Sequence, residues 1–135
     1  MPKVLLVLIL LCLAPLANAQ SYSVIDNRAI KLFQEGELFL SIKKYPEALE
    51  QYKAAFSREK RFFAVYQKAT QLLVSLGRFE EAEALALQGK SAVVPEKPQY
   101  LGDFGWLLLT IYLKKGQFED ANRSFKELNL IVSDD

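Results

Sequence analysis

The acidic side chains are the groups in this sequence whose type and spacing come closest to a catalytic arrangement. Glu80, Glu81 and Glu83 stand together, and Glu119 is followed directly by Asp120. Two carboxylates can act as general acid and general base when they line a cleft and one of them has a raised pKa. Here both groups follow a short polar turn, where acidic side chains stabilise a helix start by interacting with the helix dipole. We therefore interpret them as exposed residues at helix starts, and we predict that the protein is not an enzyme.

The residue types that are missing exclude most other chemistry. The 135 residues include no histidine, and Cys12 is the only cysteine. A Ser-His-Asp triad and a zinc site built from cysteine and histidine are therefore impossible. The six glycines are scattered and form no phosphate-binding loop. We expect no catalytic residue, no cofactor and no metal ion.

The N-terminal segment has the features of a secretory signal peptide. Lys3 precedes an apolar run at 4–13, and the sequence Ala-Asn-Ala follows at 17–19. A positive start, a short apolar core and an Ala-x-Ala exit are typical of such peptides, and the run is shorter than the roughly 20 residues that span a bilayer. We predict a signal peptide over 1–19, cleaved after Ala19, and a periplasmic or secreted protein without a transmembrane anchor. An uncleaved anchor is the alternative.

The charge of the chain argues against nucleic acid as a partner. The formal net charge is +1, which provides no long-range attraction for a polyanion. One segment, SREKRFF at 57–63, combines basic and aromatic residues, but it is short and includes Glu59. Its aromatic residues suit helix packing. We therefore predict no nucleic-acid partner.

A short polar turn occurs three times along the chain. It reads IKKYPEALEQY at 42–52, SLGRFEEAEAL at 75–85 and KKGQFEDANRSF at 114–125. In each copy an aromatic residue follows the turn, and an alanine comes three residues later: Ala48, Ala82 and Ala121. The alanines are spaced 34 and 39 residues apart. Apolar residues before and after each turn recur at three- and four-residue spacing, which predicts pairs of amphipathic helices.

This pattern resembles the tetratricopeptide repeat (TPR), a helix-turn-helix unit of 34 residues. The resemblance implies an all-α fold, namely a right-handed α-solenoid of about three TPR units. After a lead-in at 20–28, the expected units lie at about 29–62, 63–96 and 102–135, with a loop at 90–100. The match has departures, since the family's glycine slot holds Thr70 and Leu109 in the later units and its large aromatic slot holds Gly105 in the third.

The resemblance also implies where a partner binds, because the first helices of stacked repeats line a concave groove. The groove-facing slots of the family correspond to Phe33 and Glu37 in the first unit, Gln67 and Gln71 in the second, and Trp106 and Thr110 in the third. Family members that hold a peptide's C-terminal carboxylate use Lys, Arg and Asn in such slots. Their absence here disfavours a carboxylate clamp, and we expect a neutral groove with aromatic ends.

Trp106 has two interpretations. Tryptophan is enriched among the residues that dominate binding interfaces, so Trp106 is a candidate ligand anchor. Alternatively, its ring packs against the 90–100 loop and fills the space that Gly105 leaves open. Of the two interpretations, the sequence favours packing against the loop.

The last predicted helix has an apolar face for which the sequence predicts no capping helix. Repeat stacks need a polar outer helix at each end. We therefore predict a C-terminal interface of Phe125, Leu128 and Ile131. It would meet a partner protein or a second copy, or the chain would be the front end of a larger protein. Residues 29–56, AIKLFQEGELFLSIKKYPEALEQYKAAF, resemble the N-terminal TPR segments of large envelope proteins of the Bacteroidota.

The functional prediction is a non-enzymatic protein–protein interaction module, or scaffold, of the bacterial cell envelope. It would bind a partner protein or peptide through the first-helix groove, through the C-terminal helix, or through both. The alternative is a structural element that forms homo-oligomers.

Overall fold

The computed structural model describes residues 26–132, and within that range it contains six α-helices and no strand. The helices are α1 (Asn27–Ser41), α2 (Tyr45–Arg58), α3 (Phe63–Ser75), α4 (Phe79–Ser91), α5 (Gln99–Lys115) and α6 (Phe118–Val132). The predicted signal peptide at 1–19, most of the lead-in at 20–28 and the last residues of the third unit, 133–135, lie outside the described residues.

The six helices form three pairs that stack in chain order. Consecutive helices pack against each other, and α3 also contacts α5 directly. The first helices of the second and third pairs are therefore neighbours on one side of the stack. This arrangement creates the surface on which the sequence analysis placed the partner-binding residues.

The three polar turns have the same backbone structure. Each contains one residue in the left-handed region, namely Lys43 at φ 60°, Gly77 at φ 72° and Gly116 at φ 71°. The amide of the following residue donates a hydrogen bond of 2.9 Å to a carbonyl five residues earlier: Lys44 to Phe39, Arg78 to Leu73 and Gln117 to Tyr112. This is the Schellman ending of a helix. Glycine has no Cβ and adopts a positive φ readily, which explains its presence in two of the three turns.

The second helix of each pair begins at the aromatic residue after the turn. Tyr45, Phe79 and Phe118 are the first residues of α2, α4 and α6. The alanine three residues later is buried in every pair: Ala48, Ala82 and Ala121. A larger side chain at this position would hold the paired helices apart, because protein interiors are close-packed.

Close contacts between glycine and a large side chain hold neighbouring helices together. A Cβ added at Gly36 of α1 would lie 2.6 Å from the ring of Tyr52 in α2. A Cβ at Gly89 of α4 would lie 2.5 Å from the ring of Phe104 in α5, and this contact joins two units. In both places the aromatic ring packs directly against the backbone of the neighbouring helix.

The third pair also has a close contact between a glycine and a large side chain, but the large residue is a leucine. This contact corrects one sequence prediction. Leu128 was expected on the exposed C-terminal interface, but it is only 3% exposed. Its side chain packs on α5, where a Cβ at Gly105 would lie 2.7 Å away, and it clusters with Leu109 and Ala121. The helix turns Leu128 inwards because it lies seven residues after Ala121, on the same buried stripe.

The connection between the second and third pairs is shorter than expected. A loop was predicted at 90–100, with the third unit starting at 102, but α4 continues to Ser91 and α5 already begins at Gln99. Pro98 lies at the N-cap position of α5. Proline is compatible with a helix start, since its missing N–H would have no partner there. Pro98 therefore marks the start of α5.

We expect the Gly36→Ala substitution to lower the free energy of unfolding by about 1–3 kcal/mol, because the added methyl group overlaps the Tyr52 ring. Urea unfolding followed by circular dichroism measures the change. The matched control is Gly102→Ala in α5, where a Cβ meets no atom within 4 Å. The control should leave stability unchanged or raise it, because alanine is the better helix former. Equal effects of the two substitutions would contradict the close contact at Gly36.

Candidate partner-binding groove

The first helices of the second and third pairs enclose a groove of about 300 Å³. It lies between α3 and α5 and is lined by Gln67, Gln71, Asp103, Trp106, Leu107 and Thr110. The groove exists because α3 and α5 contact each other and present adjacent faces on one side of the stack.

Four of the six predicted partner-binding residues meet in this groove. They are Gln67 and Gln71 from α3 and Trp106 and Thr110 from α5. The sequence places each pair four residues apart, which keeps both members on one face of their helix. The repeat register therefore places these four residues on adjacent faces of the two helices.

The other two predicted residues lie on α1, away from this groove. Phe33 is half-buried, and its ring packs on Tyr52 and Phe62 with centroid distances of 5.9 and 5.4 Å. Glu37 accepts a 2.5 Å hydrogen bond from the Tyr52 hydroxyl, and the Nζ atom of Lys68 lies 3.5 Å from its second oxygen. Burial, together with the Glu37 carboxylate, raises the pKa of the Tyr52 hydroxyl. Both residues hold α1 against its neighbours.

The sequence analysis missed two residues of the groove, Asp103 and Leu107. Asp103 lies three residues before Trp106 and seven before Thr110, so helical spacing alone places it on the same face. It was overlooked because the prediction followed only the family's groove slots. The groove is therefore not neutral as expected, since Asp103 is a charged residue in its lining.

The structure distinguishes between the two interpretations of Trp106. Its side chain is 57% exposed and lines the groove. The space above Gly105 is filled by Leu128, so the indole is not needed there. In the loop, Ala92 and Val93 pack against the main core. Trp106 is therefore an exposed side chain of the groove lining, and Leu128 rather than the indole fills the space above Gly105.

Hydrogen bonds fix the polar side chains of the groove. Gln67 donates from Nε2 to Oδ2 of Asp103 at 3.0 Å, and this bond joins α3 to α5. The Thr110 hydroxyl donates to the backbone carbonyl of Trp106 at 2.9 Å, and its lone pairs remain able to accept. None of the ion pairs within residues 26–132 includes Asp103. The groove thus combines an aromatic wall with a carboxylate that forms no ion pair within residues 26–132.

A second crevice lies between the second helices α2 and α4. It encloses about 410 Å³, and its walls include Lys53, Phe56, Glu81 and Gln88. No residue of this crevice was predicted to bind a partner. The repeat pattern directs attention to the first helices, so it carries no signal for this surface.

The far end of the stack exposes large apolar side chains. Phe118 is 70% and Phe125 is 46% exposed on α6, and Trp106 and Leu113 are exposed on α5. The members of each pair are seven residues apart, so each pair forms one stripe of its helix. Phe125 and Ile131 of the predicted interface are exposed, but Leu128 is buried. The three predicted residues therefore do not form one exposed surface.

The direction in which α6 faces follows from its ion pair with α4. Glu127 forms a salt bridge with Lys90 of α4, in which the Nζ atom of Lys90 lies 3.0 Å from a carboxylate oxygen of Glu127. Glu127 lies about 200° around the helix from Phe125, since successive residues differ by about 100°. The Phe118–Phe125 stripe therefore points away from the preceding pair.

Across residues 26–132, no three or more His, Cys, Asp or Glu side chains are grouped so that they could hold a metal ion. None of the six helices combines the length and the hydropathy needed to cross a membrane.

No protein-family model and no curated protein matches the chain. Among solved structures, it is similar to the second TPR domain of Spaghetti (RPAP3), which was determined bound to the HSP90 peptide SRMEEVD. The sequences are 18% identical, and the likeness, with a TM-score of 0.63, covers 78% of this chain and 93% of that one. At this identity the likeness shows the fold alone. The described helices thus form the TPR-type α-solenoid that the sequence predicted.

Proposed function

We propose that this protein is a non-enzymatic interaction module that binds a peptide segment of a partner protein in the groove between α3 and α5. The observation that carries the proposal is the convergence of Gln67, Gln71, Trp106 and Thr110 on one groove. An exposed tryptophan beside side-chain amides and a hydroxyl suits an extended peptide. The indole supplies apolar contact, and the amides and hydroxyl bond to the peptide backbone.

The fold of the solved neighbour supports the same function. That TPR domain was determined with a peptide bound to it. Stacked helical repeats present extended concave surfaces, and such surfaces bind chains rather than small molecules. The chemistry of the neighbour's peptide does not transfer, because specificity depends on side chains and the two sequences share only 18% identity.

Selection from a random peptide library displayed on phage tests the proposed function. We expect the purified protein to enrich related peptides and the Trp106→Ala variant to enrich none of them, since the substitution removes the aromatic wall. Leu87→Ala is the matched control, because Leu87 is 44% exposed on α4 and lies outside the groove. Enrichment of the same peptides by wild type and Trp106→Ala would contradict the proposed binding groove.

We propose that the protein acts in the cell envelope. The support is the sequence at 1–19, with its positive start, apolar core and Ala-Asn-Ala exit. Expression in an exporting bacterial host should yield a protein that begins at Gln20, which N-terminal sequencing determines. A protein that retains Met1 after fractionation with the soluble cytoplasm would contradict this localisation.

Self-association is the second candidate function, and the exposure of Phe118 and Phe125 favours it. A two-fold dimer buries the same apolar patch on both subunits. We expect Phe125→Glu to convert a dimer to a monomer in light scattering, whereas Leu87→Glu, at a similarly exposed position, should not. Leu128 is unsuitable for this test, because its burial means that a charge there would disrupt the α5–α6 packing. A monomeric wild type at the highest attainable concentration would eliminate this candidate.

A further inference from the structure

The charge of the groove specifies the chemistry of the peptide it binds. Asp103 is the single charged side chain among the six that line the groove, and no cation within residues 26–132 neutralises it. Lys68, the basic residue of α3, pairs with Glu37 of α1. An acidic peptide would bring like charges together in the groove, and this juxtaposition opposes binding.

The position of Asp103 relative to Trp106 further restricts which peptide side chains fit the groove. The two residues lie three positions apart on α5, so both side chains face the same groove one helical turn apart. Gln67 bonds to Oδ2 of Asp103, which holds the carboxylate in place and leaves its other oxygen able to accept. A cation that approaches the carboxylate therefore meets the indole as well.

We propose that this groove selects peptides with an arginine side chain, which pairs with Asp103 and lies against the Trp106 ring. The proposal rests on the proposed peptide-binding function and adds the chemistry of the ligand. Guanidinium is planar, stacks on aromatic rings and bonds to carboxylates, and it does both better than the compact ammonium group of lysine. Gln71 and Thr110 are then available for the peptide backbone around the arginine.

Titration with defined peptide mixtures tests this specificity. The probes are acetylated, C-terminally amidated heptapeptides whose central residue is Arg, Lys, citrulline, Glu or Leu. Their other positions are equal mixtures of Ala, Leu, Ser and Gln. Because Trp106 is the only tryptophan in the chain, its fluorescence reports binding at the groove directly. Citrulline keeps the shape of arginine without its charge, so it isolates the electrostatic contribution.

We expect the Arg mixture to bind about three- to tenfold more tightly than the citrulline mixture, with Lys between them and Glu weakest. Asp103→Asn should abolish the difference between Arg and citrulline, because it removes the charge that pairs with the guanidinium. Asparagine keeps an oxygen that accepts from Gln67, so the groove retains its shape. Glu96→Gln, an exposed carboxylate of the 92–98 loop, is the matched control and should retain the preference.

The outcomes separate this inference from the function on which it rests. Equal binding of the Arg and citrulline mixtures, or tighter binding of Glu or Leu, overturns the arginine specificity while peptide binding stands. Persistence of the Arg preference in Asp103→Asn also overturns it. If no mixture changes the Trp106 fluorescence of the wild type, both the arginine specificity and the proposed peptide-binding function fail.

Discussion

The packing of this protein depends on one constraint, namely that a large side chain on one helix needs a small residue opposite it on the next. Gly36 receives the Tyr52 ring, Gly89 receives Phe104, and Gly105 receives Leu128. A larger residue at any of these glycines would hold the two helices farther apart. The stack would then lose dispersion contacts and buried apolar surface between its helices, which stabilise it. The chain offers no disulfide as an alternative, since it has a single cysteine.

The same constraint determines where the groove forms. In the third pair, the space that a large aromatic residue of α5 would fill is occupied from the other side by Leu128 of α6. Trp106 is consequently not required for the α5–α6 contact, and its ring is left exposed beside Gln67 and Gln71. The packing of Leu128 between α5 and α6 thus affects which side chains the neighbouring groove presents. The second pair shows another solution, with Thr70 buried at the position that corresponds to Gly36 and its hydroxyl without a hydrogen-bond partner within the described residues.

Much of the fold was predictable from the sequence, and the reasons are local. The turn at 75–85 contains a glycine that ends one helix, acidic residues that start the next and an alanine that permits close packing. Each of these preferences acts within a few residues, so it can be read without the rest of the chain. Leu128 shares the helical stripe of Ala121, so its burial follows from local spacing, but Gly105, on which it packs, lies 23 residues away in sequence. Helical spacing also places Asp103 on the face of Trp106, and it was missed because the prediction followed only the family's groove slots, whereas its bond to Gln67 depends on how α3 and α5 pack.

The sequence by itself determined the three helix pairs, the identical turns between their helices and the faces on which Gln67, Gln71, Trp106 and Thr110 lie. Helical periodicity and the conformational preferences of glycine and proline are properties of short segments, and these suffice. Only the tertiary structure decided that Leu128 packs on Gly105, that Phe33 and Glu37 support α1 and that Asp103 bonds to Gln67. Those outcomes depend on which side chain of a distant helix fills a given space, and such pairing arises only when the helices pack.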